Sequence, residues 1–573
     1  MNPTLFRNIF LLVMVLLQFV GCRFSSQKTV STAQGERGVI ASKGMVVSAH
    51  PEASRIGLEI LKKGGNAYDA AVATGFALAV AFPVAGNIGG GGFLVYRKNN
   101  GETGSLDYRE RGPAAATRDM YLDAQGNVLP EASTLGHLAV GVPGAVDGLV
   151  ETHRKLGTLP WKEVIQPSID LAVKGVVLTE REANALNETR EEFIQANKFN
   201  PHLVRNTPWK AGDVLPLTEL ARTLERVRDK GRAGFYEGET ADLFVKEMRR
   251  GGGIITHQDL KEYKPVWRNP VIGTYRGYKV ISMPPPSSGG LALLQLLKMV
   301  EPYDLRAWGW QKPNTVHVMV EAERRVYADR ATYLGDPDYY KVPVEKLLDQ
   351  DYLRQRMATV QMNKATPSVQ VLAGDFMAKE SDQTTHYSIV DQWGNAASVT
   401  TTLNGNYGSK VVVEGAGFLL NNEMDDFSAK PGVPNMFGLL GGEANAIAPG
   451  KRMLSSMTPT ILEKDGELFM IVGTPGGSTI ITSVFQTILN VIDHGMTMQA
   501  AVSAPRFHHQ WLPDHIQPEA AALTPEVRET LQKIGHQIRN RGKFGRVEGI
   551  VRLPNGTWEG GADPRGDDVA YGY

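Results

Sequence analysis

The sequence predicts an α+β protein built in layers, and three observations lead there. Amphipathic helical patterns fill much of the first two thirds of the 573 residues, at 161–174, 218–230, 240–250 and 316–333. A polar stretch without periodicity, residues 365–382, reads as an exposed linker, and beyond it the pattern switches to strands. No period of 20–50 residues repeats, which disfavours solenoids and propellers.

Composition narrows the function classes. The chain carries 61 Lys+Arg against 61 Asp+Glu, so bulk electrostatics exclude a nucleic-acid binder of the basic-patch kind. An apolar fraction of 42% excludes wholesale disorder. One cysteine forms no internal disulfide, and no Cys/His cluster marks a structural zinc site. The 61 glycines fall in short clusters and read as tight loops.

The elements follow in order. Arg7 precedes an apolar run at 9–17, too short for a spanning helix, which needs about 20 apolar residues. Residues 1–21 are expected to be a signal peptide. Cys22 stands directly after Gly21 as in a bacterial lipobox, with Phe19 where a leucine is usual. Lipidation of Cys22 and ordinary cleavage both remain open, so the expected location is exported and periplasmic, with a membrane anchor if Cys22 is lipidated. Residues 53–82 repeat small and aliphatic side chains at helical spacing, broken at Gly64-Gly65. Gly89 to Gly92 then lead into a strand at 93–97. A helix before the glycines and a strand after them reverse the dinucleotide-binding order. PPPSSGG at 284–290 is a rigid turn before another helix.

The chemistry lies after the linker. Residues 384–390 read as a strand, DQWGN at 391–395 as a turn, and 396–403 as the returning strand. Centred on Trp393, the hairpin sets Thr384 opposite Thr402, with Asn404 two residues on along the same face. Threonines are common in strands, so this pairing alone fits a structural role or a catalytic one. NNEMDDFS at 421–428 and Ser455-Ser456 follow. A strand at 467–472, the turn TPGGS and a helix at 478–493 come next. Gly476-Gly477 at a helix start offers free N–H groups to an anion or oxyanion, or serves only as a tight turn. His508-His509 lacks a metal motif and is expected to be buried and hydrogen-bonded.

Together these stretches resemble one family. They include GGNAYDAAVA from Gly64, NIGGGGF, DYRERGPAAATRDMYLD, GVPG, TTHYSIVD, NNEMDDFSAKPGVPN, LSSMTPT, GTPGGS, APRFHHQWLPD and the closing ADPRGDDVAYGY. In that order, from about Gly38 to Tyr573, they are similar to the γ-glutamyltransferases (γ-glutamyltranspeptidases) of the N-terminal-nucleophile hydrolase superfamily. The resemblance implies a four-layer αββα sandwich, made as a precursor and cut between Gln383 and Thr384. Residues 22–383 would be the large subunit and 384–573 the small one, held as a heterodimer. It implies no cofactor and no metal.

The resemblance also implies roles. Thr384 would attack the γ-carbonyl of a donor such as glutathione and pass the γ-glutamyl group to water or to an amino acid or peptide amine. Thr402 would orient Thr384, and Gly476 and Gly477 would form the oxyanion hole. Arg109, Ser455 and Ser456 would hold the substrate α-carboxylate; Asn404, Glu423 and Asp426 would hold its α-ammonium. Where several relatives have a lid tyrosine that bonds the asparagine, this chain has Phe437, which implies a looser lid and more hydrolysis. A cephalosporin acylase or poly-γ-glutamate depolymerase of the same superfamily, or an exported binding lipoprotein without catalysis, are the alternatives.

Overall fold

The computed structural model describes residues 37–371, 384–430 and 432–573. The signal segment, Cys22 and Gln383 lie outside the described residues. Two seven-stranded antiparallel sheets form its centre. The first runs in the order Val569–Gly572, Met45–Ser48, Thr385–Val390, Ala396–Thr402, Gly91–Arg97, Thr103–Tyr108, Val266–Arg268. The second runs Val39–Ala41, Trp558–Ala562, Glu548–Arg552, Glu467–Gly473, Thr460–Lys464, Tyr278–Ser282, Val271–Tyr275.

Met45, Val47, Phe93 and Val95 of the first sheet pack against Ile281, Ile461, Ile471 and Ile550 of the second. The outer face of the first sheet is covered by helices that include Pro51–Lys62, Ala67–Ala81 and Trp161–Lys174. Gly289–Val300, Pro313–Tyr333 and Thr479–Ile492 cover the second. The layers are therefore α, β, β, α. Strands buried on both faces lose the polar alternation of a half-exposed sheet, and all six residues of Thr385–Val390 are buried.

Local signals explain the element ends. The expected break at Gly64-Gly65 separates Pro51–Lys62 from Ala67–Ala81, with Gly64 at φ +93°. Asn66 and Asp69 form a reciprocal capping box that starts the second helix. Among the described residues no helix is long and apolar enough to cross a membrane.

Two expectations need correction. The pattern at 316–333 predicts an amphipathic helix. Pro313–Tyr333 begins three residues earlier, with Pro at its first position, and is buried on all sides from Thr315 to Arg330. Within it Glu321 accepts from Arg324 at 2.5 Å and from Arg325 at 2.6 Å.

The second correction concerns the linker. Residues 365–371 are anchored, with Ala365, Ser368 and Val371 buried while Val369 and Gln370 stay exposed. Asp514 accepts from the Ser368 N–H at 2.7 Å, Arg324 Nε donates to the Ser368 hydroxyl at 3.0 Å, and Trp511 Nε1 donates to the Ser368 and Val371 carbonyls at 3.0 Å. A polar segment is buried here because each of these groups finds a partner. The rest of the expected linker lies outside the described residues.

Candidate active site

Thr384 stands at the entry to the strand Thr385–Val390. The hairpin has the register that its sequence predicts, Thr385 opposite Thr401 through Val390 opposite Ala396, and one step further sets Thr384 across from Thr402. On its other side Thr402 pairs with Gly91. A Cβ at Gly90 would lie 2.1 Å from the Thr402 carbonyl oxygen, so the glycine run lets this strand approach closely. The Thr402 hydroxyl accepts from the Asn404 N–H at 2.7 Å. Asn404, in the left-handed region at φ +74°, donates its amide to the Asn422 carbonyl at 3.0 Å.

A small cavity of about 20 Å³ brings the expected residues together. Its wall includes Thr384, Thr402, Asn404, Arg109, Glu423, Asp426, Ser455, Ser456 and Gly477, with Phe437 above. Gly476 lines a neighbouring cavity of about 370 Å³, and Thr384 belongs to both.

The turn between Glu467–Gly473 and Thr479–Ile492 requires its glycines. Gly476 has φ +137° and Gly477 φ +51°, and a Cβ on Gly477 would meet the Phe437 ring at 2.5 Å. Neither N–H has an acceptor among the described residues, and both stand just ahead of a 14-residue helix. Unpaired donors at a helix start suit a developing oxyanion.

The electrostatics are those of a closed ion cluster. Arg109, 1% exposed, donates to Glu423 and Asp426 and to the Met453 and Leu454 carbonyls. Burial alone would lower its pKa, but the Glu423, Asp426 and Glu110 carboxylates together hold it raised. Burial pushes Glu423 and Asp426 up, and Arg109 opposes it. Such a set of one guanidinium fork and two acids matches a zwitterion carrying an ammonium and a carboxylate on one carbon. His386, on the nucleophile's own strand, is not a base: burial pushes it down to about 3, and its ring is engaged by Thr400 and Ser388.

The sequence profile of the family described as Gamma-glutamyltranspeptidase matches residues 53–573. The chain belongs to that family. The glutathione hydrolase proenzyme of Escherichia coli (strain K12) is 46% identical over 538 residues, covering 93% of each chain. That of Pseudomonas aeruginosa is 45% identical over 574 residues, covering 99% of each. Among solved structures, a cephalosporin acylase from Bacillus halodurans superposes with a TM-score of 0.82 at 28% identity, covering 96% of this chain and 99% of its own.

This γ-glutamyltranspeptidase-family site contains residues that sequence reasoning missed. Arg330 donates to the Ser456 hydroxyl at 3.1 Å and to Ser288 at 2.9 Å, and burial pushes it down to about 10. It lies in a helix read only for its periodicity, and no motif marks it. Glu110, beside Arg109 at 3.8 Å, is fully buried with neither carboxylate oxygen hydrogen-bonded among the described residues. The loop that carries Phe437 is tied to its surroundings without a tyrosine. Asn435 donates to Asp426 at 3.0 Å, the Met436 N–H to Asp425 at 2.9 Å, and Gln510 to the Gly438 carbonyl at 3.1 Å.

The histidine pair is buried as expected, His508 bonding Thr482 and Gln510 at 2.8 Å and His509 bonding Asp514 at 3.3 Å. A metal-like trio among the described residues, His317, Glu321 and His536, lies elsewhere. Its carboxylate is already held by Arg324 and Arg325, which repel a cation.

Proposed function

We propose that Thr384 is the nucleophile, freed when the chain is cut after Gln383. The protein is a γ-glutamyltransferase and glutathione hydrolase, made as a proenzyme. An internal threonine has no base of its own. As an N-terminus, its α-amine, with a reference pKa of roughly 8, takes the hydroxyl proton near neutral pH. Thr384 Oγ then attacks the γ-carbonyl of glutathione or a conjugate. The Gly476 and Gly477 N–H groups stabilise the oxyanion, and Thr402 orients the hydroxyl. Arg109, Ser455 and Ser456 hold the α-carboxylate, while Glu423, Asp426 and Asn404 hold the α-ammonium. The amine leaves, and water or an amino acid or peptide amine takes the γ-glutamyl group from the ester.

The observation that carries this reading is that Thr384, alone among the described residues, lines both the ion-lined cavity and the cavity containing Gly476. The ion set favours a free γ-glutamyl head group over the acyl chain of a cephalosporin acylase or a poly-γ-glutamate depolymerase, because an acyl group without an ammonium leaves Glu423 and Asp426 no cation but Arg109. The amino terminus supports export, with lipid anchoring through Cys22.

Intact mass and N-terminal sequencing of the wild type beside Thr384→Ala test it. The reading expects two wild-type chains, the smaller beginning at Thr384, γ-glutamyl-p-nitroanilide turnover, and an uncut, inactive variant. A wild type that stays uncut and inactive would sink it and leave a binding protein.

A further inference from the structure

One wall of the head-group cavity, the cavity of about 20 Å³ that holds Arg109 and Glu423, is formed by Ser455 to Met457, and the turn at 284–290 is sewn to its back. The Ser288 N–H and hydroxyl both donate to the Ser455 carbonyl, at 2.8 and 2.6 Å. The Ser455 N–H donates to the Pro286 carbonyl at 3.0 Å, and the Ser287 hydroxyl to the Met457 carbonyl at 2.6 Å. A Cβ at Gly289 would lie 2.5 Å from that Met457 oxygen, so the turn needs a glycine to come this close. Arg330 closes the seam, donating through Nε to Ser288 Oγ at 2.9 Å and through Nη2 to Ser456 Oγ at 3.1 Å. The two serines of the cavity wall are thereby set alike. Ser455 Oγ accepts from the Met457 N–H at 3.1 Å, and Ser456 Oγ accepts from Arg330. A hydroxyl that accepts from behind keeps its single hydrogen for another acceptor, which is what a carboxylate asks of its site. Burial lowers the Arg330 guanidinium only to about 10, so it stays charged near neutral pH and polarises the hydroxyl it serves.

The same helix face reaches the other half of the site. Tyr327, three residues before Arg330 and so about 4.5 Å along the axis on the same side, donates its hydroxyl to the carbonyl of Ser478, the residue after Gly477. The helix is buried on all sides from Thr315 to Arg330, which makes it a fixed post between the two contacts. We propose that Tyr327 and Arg330 are positioning residues for the reaction. Arg330 turns the Ser456 hydroxyl toward the substrate α-carboxylate, and Tyr327 holds the Gly476-Gly477 turn at the matching distance, so that one buried helix sets the spacing between head group and oxyanion. The proposal rests on the function above and deepens it. Arg330 works through Ser456 and Tyr327 through Ser478, so the first governs binding of the head group and the second governs the rate.

The test is a double-mutant cycle on the mature protein, with wild type, R330Q, S456A and R330Q/S456A, and Y327F beside them. Two readouts separate binding from chemistry: kcat on γ-glutamyl-p-nitroanilide, and the inhibition constant of L-glutamate, which carries the head group without a scissile amide. S456A and R330Q should each raise that constant about threefold to tenfold. The double variant should be no worse than S456A alone, because Arg330 acts through the hydroxyl that S456A removes. Y327F should lower kcat about twofold to tenfold and leave the L-glutamate constant unchanged. R330K keeps the charge without the fork that spans Ser288 and Ser456, so it should fall between wild type and R330Q, and it takes the place of R330Q in the cycle if R330Q does not mature. Effects of R330Q and S456A that multiply, an unchanged constant in R330Q, or a Y327F variant that keeps kcat or binds L-glutamate more weakly would overturn the proposal, while donor turnover by the wild type left the function standing. A wild type that released no nitroaniline would overturn the function itself, and this inference with it.

Discussion

Arg109 and Asp426 meet at 2.5 Å in the wall of the head-group cavity, with Glu423 on the other arm of the same guanidinium. The groups proposed to bind a substrate's two charges thus neutralise one another in its absence. On the proposed function, a bound zwitterion would exchange one internal cluster for two outward pairs.

Arg109→Lys keeps the charge but loses the fork. Its KM for γ-glutamyl-p-nitroanilide should rise about tenfold or more, with the fold intact by circular dichroism. Arg109→Ala leaves buried acids unpaired and should lower stability by roughly 3–5 kcal/mol. Equal KM in Arg109→Lys and wild type would remove Arg109 from substrate binding.

Gly477→Ala places a methyl where the Phe437 ring lies and strains a φ of +51°. The turn must shift, moving the oxyanion donors, and kcat should fall on the order of 10²-fold. Retained kcat would show that the Gly477 N–H is not a donor to the transition state.

Phe437→Tyr adds a hydroxyl to a ring that shares the cavity wall with Asn404. One added hydrogen bond corresponds to roughly a twofold to tenfold shift in an opening equilibrium. The transfer-to-hydrolysis ratio should rise accordingly. An unchanged ratio would mean that the ties through Asp425, Asp426 and Gln510 already set lid opening.

Glu110 gives a pH dependence. Burial raises its carboxyl from the ordinary 4.5 to about 7, against the opposing pull of Arg109. The native state holds this proton more tightly than the unfolded chain. Its contribution is therefore fully present below about 4.5 and is lost as pH rises through about 7, a change of about 3 kcal/mol. Glu110→Gln should remove that dependence, so its Tm should gain on the wild type between pH 5 and pH 8. Parallel Tm profiles would show that Glu110 does not titrate there.

The hairpin carrying Thr384 is legible because the DQWGN turn centred on Trp393 fixes its register, and a one-residue slip would invert every face. Helices at 161–174 and 218–230 were legible from periodicity alone and match Trp161–Lys174 and Thr218–Lys230. Polarity alone predicts exposure at 365–371, while the partners that anchor Ser368 and Val371, Trp511 and Asp514, lie about 140 residues away. Arg330 is invisible for a related reason. What distinguishes an arginine aimed at Ser456 is the company that the fold supplies.

Both sheets draw strands from either side of Thr384. Thr385–Val390 lies between Met45–Ser48 and Ala396–Thr402, and Thr460–Lys464 lies between Tyr278–Ser282 and Glu467–Gly473. The proposed cut before Thr384 would therefore leave two polypeptides interlocked through main-chain ladders in both layers. Dilution should not part them, and two batches of mature protein mixed together should keep their original halves. Their association would then be a property of folding, ending only when folding does.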